Sequence, residues 1–268
     1  MSSFRDASEW AQTAPGVFQG VIDESWYQGR GAFGGLLGGA ILRGMIRTVA
    51  SGARVPRSLT VHYCAPAVAG PVELKVHVER AGSSVSHVSA RVEQQGEAVC
   101  LATATFAQSR RSSTIYLDAV MPKVAPAVDR PSVSPDVPGF PVFARNHFDY
   151  RFATDREPYC RADEALLHVW IKPRVPQRVD APMAMGLIDA PPPAVLARLE
   201  TLQAAATVDL TTHFFTALPL EDRVVDEHHL LFVRSRQAAD GYTEQLTELW
   251  SPSGQLLAQC RQLVALLG

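Results

Sequence analysis

One short pattern occurs twice in this chain, and it constrains the fold more than any other feature. Ser58-Leu59-Thr60-Val61-His62-Tyr63 returns 151 residues later as Asp209-Leu210-Thr211-Thr212-His213-Phe214. Gln95-Gly96-Glu97-Ala98-Val99 returns 158 residues later as Ser253-Gly254-Gln255-Leu256-Leu257. Two elements in the same order at nearly the same offset are the mark of a duplicated unit. The length of 268 residues agrees, since a single domain has roughly 100–150. Polar positions at which the two copies differ then single out the copy that carries chemistry.

Composition narrows the function classes. Hydrophobic residues make up 47% and charged residues 19%, enough apolar material for a sizeable core. A net charge of −2 gives no electrostatic reason to expect nucleic acid or an anionic membrane as partner. No run approaches the roughly 18 apolar residues of a membrane span, and Met1–Gln12 is too polar for a signal peptide. Cys64, Cys100, Cys160 and Cys260 are widely spaced with no C-x-x-C pair. They read as free thiols in a reducing cytoplasm rather than as a metal site or a disulfide framework.

The first copy opens with Phe33-Gly34-Gly35-Leu36-Leu37-Gly38-Gly39-Ala40-Ile41-Leu42-Arg43-Gly44-Met45-Ile46. Leu36, Leu37, Ala40, Ile41, Gly44 and Met45 recur at helical spacing and form one apolar stripe. Each glycine costs an isolated helix about 1 kcal/mol, so such a helix makes sense where something approaches its backbone closely. Strand patterns follow at Ser58–Cys64, Val72–Arg80, Ser84–Gln94 and Ala98–Phe106, separated by turn residues such as Ala81-Gly82 and Gln95-Gly96. One buried helix followed by antiparallel strands is an α+β arrangement.

From Ser109 to Asn146 six prolines, from Pro122 to Pro141, deny the chain regular structure, and the stretch reads as a linker wrapping the surface. The organisation is therefore a first repeat over residues 1–110, a Pro-rich linker over 111–145 and a second repeat over 146–268. In the second repeat Phe148–Phe152 and Ala165–Lys172 read as strands. Helices are expected around Pro182–Ile188 and Ala194–Leu202. The strands Ala205–Phe215, His229–Arg236, Gln245–Trp250 and Gln255–Leu266 complete it.

A Gly-rich helix wrapped by an antiparallel sheet, present twice in tandem, resembles the double hotdog fold, and the chain resembles the acyl-CoA thioesterase II family. In the first half the matching residues are the Phe33-Gly34-Gly35 helix start, Pro56 through Tyr63 with Pro66 after it, and Arg80-Ala81-Gly82-Ser83-Ser84. In the second half they are Asp189, Thr207 through Phe214, and Gly254-Gln255-Leu256-Leu257-Ala258 leading to Gln262. The resemblance covers nearly the whole chain outside the linker. It implies hydrolysis of acyl-CoA thioesters in lipid metabolism, with no cofactor or metal and with a homo-oligomeric assembly. It also implies a catalytic Asp, Thr and Gln from the second hotdog that hold a nucleophilic water, here Asp189, Thr207 and Gln262. Asp189 is followed by Ala190 and Pro191-Pro192-Pro193, which should break the helix just after the acid.

The residues can also be weighed on their own. Leu256, Ala258, Cys260, Gln262, Val264 and Leu266 share one face of the last strand, and among them Gln262 is the strongly polar one. Its equivalent in the first copy is Ala104. An amide buried without partners costs about 1–3 kcal/mol, so Gln262 is either a satisfied structural amide or lines a wet cavity. Asp189 ends the apolar run Ala184–Ile188 and reads as an N-cap for a helix beginning near Pro191, a role that does not exclude a partly buried general base. Alternation puts Thr207 on a strand face with Ala205, Asp209, Thr211 and His213. Its first-copy equivalent is Pro56, which has no hydroxyl. Thr211 recurs as Thr60 and so suits a shared structural role, and the repeated His62 and His213 report fold rather than catalysis. His228-His229 reads as surface. No G-x-S-x-G elbow occurs, which argues against a serine hydrolase of the α/β type.

Gly34 and Gly35 place backbone N–H groups at a helix start, suited either to a thioester oxyanion or CoA phosphate or simply to tight packing. The acyl chain is expected to run between the two helices, lined by Leu36, Leu37, Met183 and Met185. A non-catalytic acyl-CoA-binding protein is the rival reading. A hotdog hydratase would need an Asp-x-Asn-Pro-x-His-type motif, which the chain lacks.

Overall fold

The computed structural model describes residues 2–220 and 225–267. In the first half, helix α1 (Phe4–Ser8) precedes strands β1 (Ala11–Ala14) and β2 (Val17–Ile22) and a small ribbon of β3 (Tyr27–Gln28) and β4 (Gly31–Ala32). Helix α2 (Gly34–Val49) follows, then β5 (Val55–Tyr63), β6 (Gly70–Ala81), β7 (Val85–Gln94) and β8 (Glu97–Ala107). The second half comprises α3 (Val142–His147), β9 (Phe148–Phe152), β10 (Leu166–Pro173), α4 (Ala181–Asp189), β11 (Ala204–Phe214), β12 (His229–Arg234), β13 (Ala238–Ala239), β14 (Tyr242–Trp250) and β15 (Leu256–Leu267).

Apart from the β3–β4 ribbon, the strands join one antiparallel sheet in the order β1-β2-β6-β7-β8-β5-β11-β15-β14-β12-β10-β9, with β13 beside β14. The order reads the same outward from its centre in both directions, as a duplicated unit requires. At that centre β5 lies antiparallel to β11, and Thr60 faces Thr211. Their hydroxyls are 2.9 Å apart. Because these two threonines are equivalent in the repeat, the pseudo-twofold axis passes between them, and the halves meet through one self-complementary strand edge. That contact is the shared structural role the repeat assigned to Thr211.

Helices α2 and α4 lie inside the curve of the sheet and run antiparallel against each other. A Cβ placed on Gly35 would come 3.1 Å from Gly186 Cα, one on Gly38 3.1 Å from Met185 Cε, and one on Gly39 3.1 Å from the Pro182 carbonyl oxygen. The glycines that weaken α2 as an isolated helix therefore let two backbones touch. At the far end Arg43 of α2 pairs with Asp180, the N-cap of α4, at 3.0 Å. Leu36, Leu37, Met183 and Met185, expected to line a slot between the helices, are all buried in the core.

Three local readings are corrected by the structure. The segment around Ala194–Leu202 is a short 3-10 helix, Ala194–Arg198, and leaves helical geometry at Leu199. The linker's last residues fold as α3, whose His147 ring stacks on Trp26 at 3.6 Å and whose Phe143 stacks on Phe33 at 3.9 Å. His228 is not a surface residue. It hydrogen-bonds the Asp149 carboxylate at 2.8 Å, and Ser132 and Arg151 bond that same carboxylate. Burial opposes ionisation of Asp149, but the hydrogen bonds from His228 and Ser132 hold its carboxyl well below the usual range.

Candidate active site

Asp189 is the last residue of α4, as the proline run after it dictates, and it is 7% exposed. It does not cap the turn that follows, whose N-cap position is Pro193. The antiparallel packing carries the C-terminus of α4 to the N-terminus of α2. The vacant Cβ position of Gly34 is 2.8 Å from Asp189 Oδ2, and the Gly35 amide faces the carboxylate. Burial raises this carboxyl from 3.8 to about 7, with the Gly35 amide pulling the other way. An acid poised near neutrality takes up and returns protons under ordinary conditions.

Thr207 and Gln262 are brought together. Leu210 of β11 stands opposite Gln262 of β15, and Thr207 stands opposite Val264. Thr207 Oγ1 donates to Gln262 Oε1 at 3.4 Å. Simple alternation would have turned Thr207 outward with Asp209. A β-bulge between Thr207 and Asp209 adds one residue on β11 and turns Thr207 to the inner face. The bulge recurs between Pro56 and Ser58 on β5, so it belongs to the repeat and not to the site alone. Gln262 is 7% exposed, and its Nε2 donates to no protein acceptor among the described residues.

No hydrogen bond among the described residues joins Asp189 directly to Thr207 or Gln262. Helix α4, which ends at Asp189, packs against β15, which carries Gln262. Asp189 contributes its negative charge to the surroundings of Cys260, on the same face of β15 as Gln262, where burial chiefly pushes the thiol up to about 12. Tyr63 reaches the start of α2 from the first repeat. It follows His62, the partner of Asp209, and its hydroxyl donates to the Gly34 carbonyl at 2.9 Å.

The same construction in the other half is apolar. Counting from the two helix N-caps, Phe33 and Asp180, Leu42 occupies the place of Asp189, and Pro182, which has no N–H, that of Gly35. Pro56 stands for Thr207, Ala104 for Gln262 and Phe214 for Tyr63. Among the described residues this set of polar groups therefore occurs once.

A family model described as the acyl-CoA thioesterase C-terminal domain matches residues 122–266, and its N-terminal counterpart matches residues 22–107. The chain belongs to the acyl-CoA thioesterase family. A hot dog fold protein of unknown function from Alicyclobacillus acidocaldarius is 26% identical, covering 100% of this chain and 99% of its own, with a TM-score of 0.88. An acyl-CoA thioesterase II from Mycobacterium marinum is 19% identical, covering 98% of each chain, with a TM-score of 0.78. The likeness shows the double hotdog fold. No match was found among curated protein sequences.

Two residues that hold the turn after Asp189 escaped the sequence. Gln245 of β14 pairs in register with Gln262 and is 1% exposed. Its Oε1 accepts the Ala194 N–H at 2.8 Å, and its Nε2 donates to Thr247 Oγ1 at 3.4 Å. Tyr150 of β9 donates to the Ala190 carbonyl at 3.0 Å. Together they anchor the chain on the far side of Asp189, so the proline run leads into a tethered turn. A strand alternating polar residues on its inner face was the available signal for Gln245. The first-repeat neighbour of Ala104 on β7 is Val88.

Proposed function

We propose that the chain hydrolyses acyl-CoA thioesters, with Asp189 as general base and Thr207 and Gln262 holding the attacking water. What supports this is a buried carboxyl, raised to about 7, at the end of a helix packed against β15, the strand on which Gln262 accepts a hydrogen bond from Thr207. The carboxyl and the amide are each absent from the equivalent place in the other repeat. Asp189 takes a proton from water as its oxygen bonds to the thioester carbonyl carbon. When the tetrahedral intermediate collapses, the C–S bond breaks and the electron pair leaves with the CoA sulfur. Asp189 then returns the proton to that thiolate, giving free acid and CoA. The Gly35 N–H faces Asp189 in this arrangement. The Gly34 N–H, the other amide at the start of α2, is the donor for the developing oxyanion.

The test is thiol release from a panel running from acetyl- to palmitoyl-CoA. Asp189→Ala and Gln262→Ala should each lower kcat at least about a hundredfold with the fold retained. The acid limb of kcat/KM should fall as pH drops through about 7, where Asp189 gains its proton. Unchanged turnover in Asp189→Ala would remove the assignment. Calorimetric binding of CoA esters without thiol release would replace hydrolysis with binding.

A further inference from the structure

We infer that Tyr63, supplied by the first repeat, is a positioning residue for Asp189, acting through the single peptide unit that joins Gly34 to Gly35. The inference rests on the reading of Asp189 as the base. Tyr63 Oη donates to the Gly34 carbonyl at 2.9 Å, and the N–H of that same peptide belongs to Gly35 and faces the Asp189 carboxylate. The vacant Cβ position of Gly34 lies 3.0 Å from Tyr63 Oη and 2.8 Å from Asp189 Oδ2, so phenol and carboxylate flank one glycine. A peptide between two glycines is free to swing about its neighbouring bonds. A hydrogen bond to its carbonyl fixes the plane. It also polarises the amide, so that the N–H at the other end becomes a better donor.

The other half of the molecule lacks every part of this relay. Phe214 has no hydroxyl where Tyr63 does, Pro182 has no N–H where Gly35 does, and Leu42 has no carboxylate. The phenol is therefore present where the acid is present, and a phenyl ring suffices to pack the equivalent position. The titratable groups that face Asp189 are Tyr63 from β5, Tyr150 from β9 and Cys260 from β15. Loss of solvation drives both phenols well above 10 and the thiol up to about 12. Asp189 is thus the group in this cluster that changes charge near neutral pH, and a donor aimed at it acts on the carboxylate form.

The test follows the Asp189 carboxyl by ¹³C labelling of aspartate in the full chain, with Asp189→Asn identifying its signal. In Tyr63→Phe the midpoint should move upward by about half a pH unit, because a weaker donor stabilises the carboxylate less. 3-Fluorotyrosine at position 63, a stronger donor, should move it downward. Phe214→Tyr, the added hydroxyl in the other half, should leave it in place. Kinetically, Tyr63→Phe should lose about fivefold in kcat with KM held within about twofold. A Tyr63→Phe midpoint equal to that of the parent would overturn the inference. Failure of the underlying reading would look different, with no thiol release from the unmodified chain.

Discussion

Replacing Asp189 with asparagine should stabilise this protein at neutral pH and leave its stability nearly unchanged near pH 4. In the folded chain burial holds the carboxyl at about 7, against 3.8 for an ordinary aspartate in the unfolded chain. Between those two values the folded state keeps a proton that the unfolded state has released, so each rise in pH favours unfolding. The slope is about 1.4 kcal/mol per pH unit, and over about three units the ionised Asp189 costs about 4 kcal/mol as an upper figure. The cost is fully present above pH 7 and gone below pH 4, and Asp189→Asn escapes it. At 2–4 °C per kcal/mol for a chain of this size, the variant should melt roughly 10 °C higher at pH 8. The assay is a pair of thermal or urea melts at half-unit steps from pH 4 to pH 8, read as the difference between variant and parent. All other groups titrate in both proteins and cancel. A difference that stays constant with pH would refute the buried, raised carboxyl and the general-base argument built on it.

The helix contact and the second amide give two further expectations. Gly35→Ala puts a methyl 2.5 Å from the Phe33 ring and 3.1 Å from Gly186 Cα. It should destabilise the fold by about 1–3 kcal/mol in urea melts and lower kcat, because the helices must part where Asp189 meets α2. Gln245→Leu leaves the Ala194 N–H without its acceptor. It should cost about 1–3 kcal/mol and lower kcat more than it raises KM, a split that steady-state kinetics can read.

Much of the fold was legible because period and repetition are local properties of the chain. Strand patterns at Phe148–Phe152 and around Ala98–Phe106 fell within a residue of the observed β9 and β8. The turn glycines Gly96 and Gly254 both have positive φ, as their repeated place between strands implied. The N-terminal residues before Phe33 are a different case. The short α1, β1 and β2 carry no strong periodicity, and they take their form from packing against α2 and β6.

What the sequence alone determined about this protein is its doubling, its α+β architecture and the asymmetry between its halves. Those follow from residue type and spacing, which need no partner to be read. The position of Asp189 as a helix end was equally visible, because three prolines cannot continue a helix. Only the tertiary structure decided what the acid meets. A one-residue bulge reversed the face of Thr207, and the glycines of α2 let that helix come into close contact with α4. Tyr63 and Gln245 reached the site through strand register. Each of these is set by contacts between segments far apart in the chain, where a shift of one residue in register exchanges the inner face for the outer.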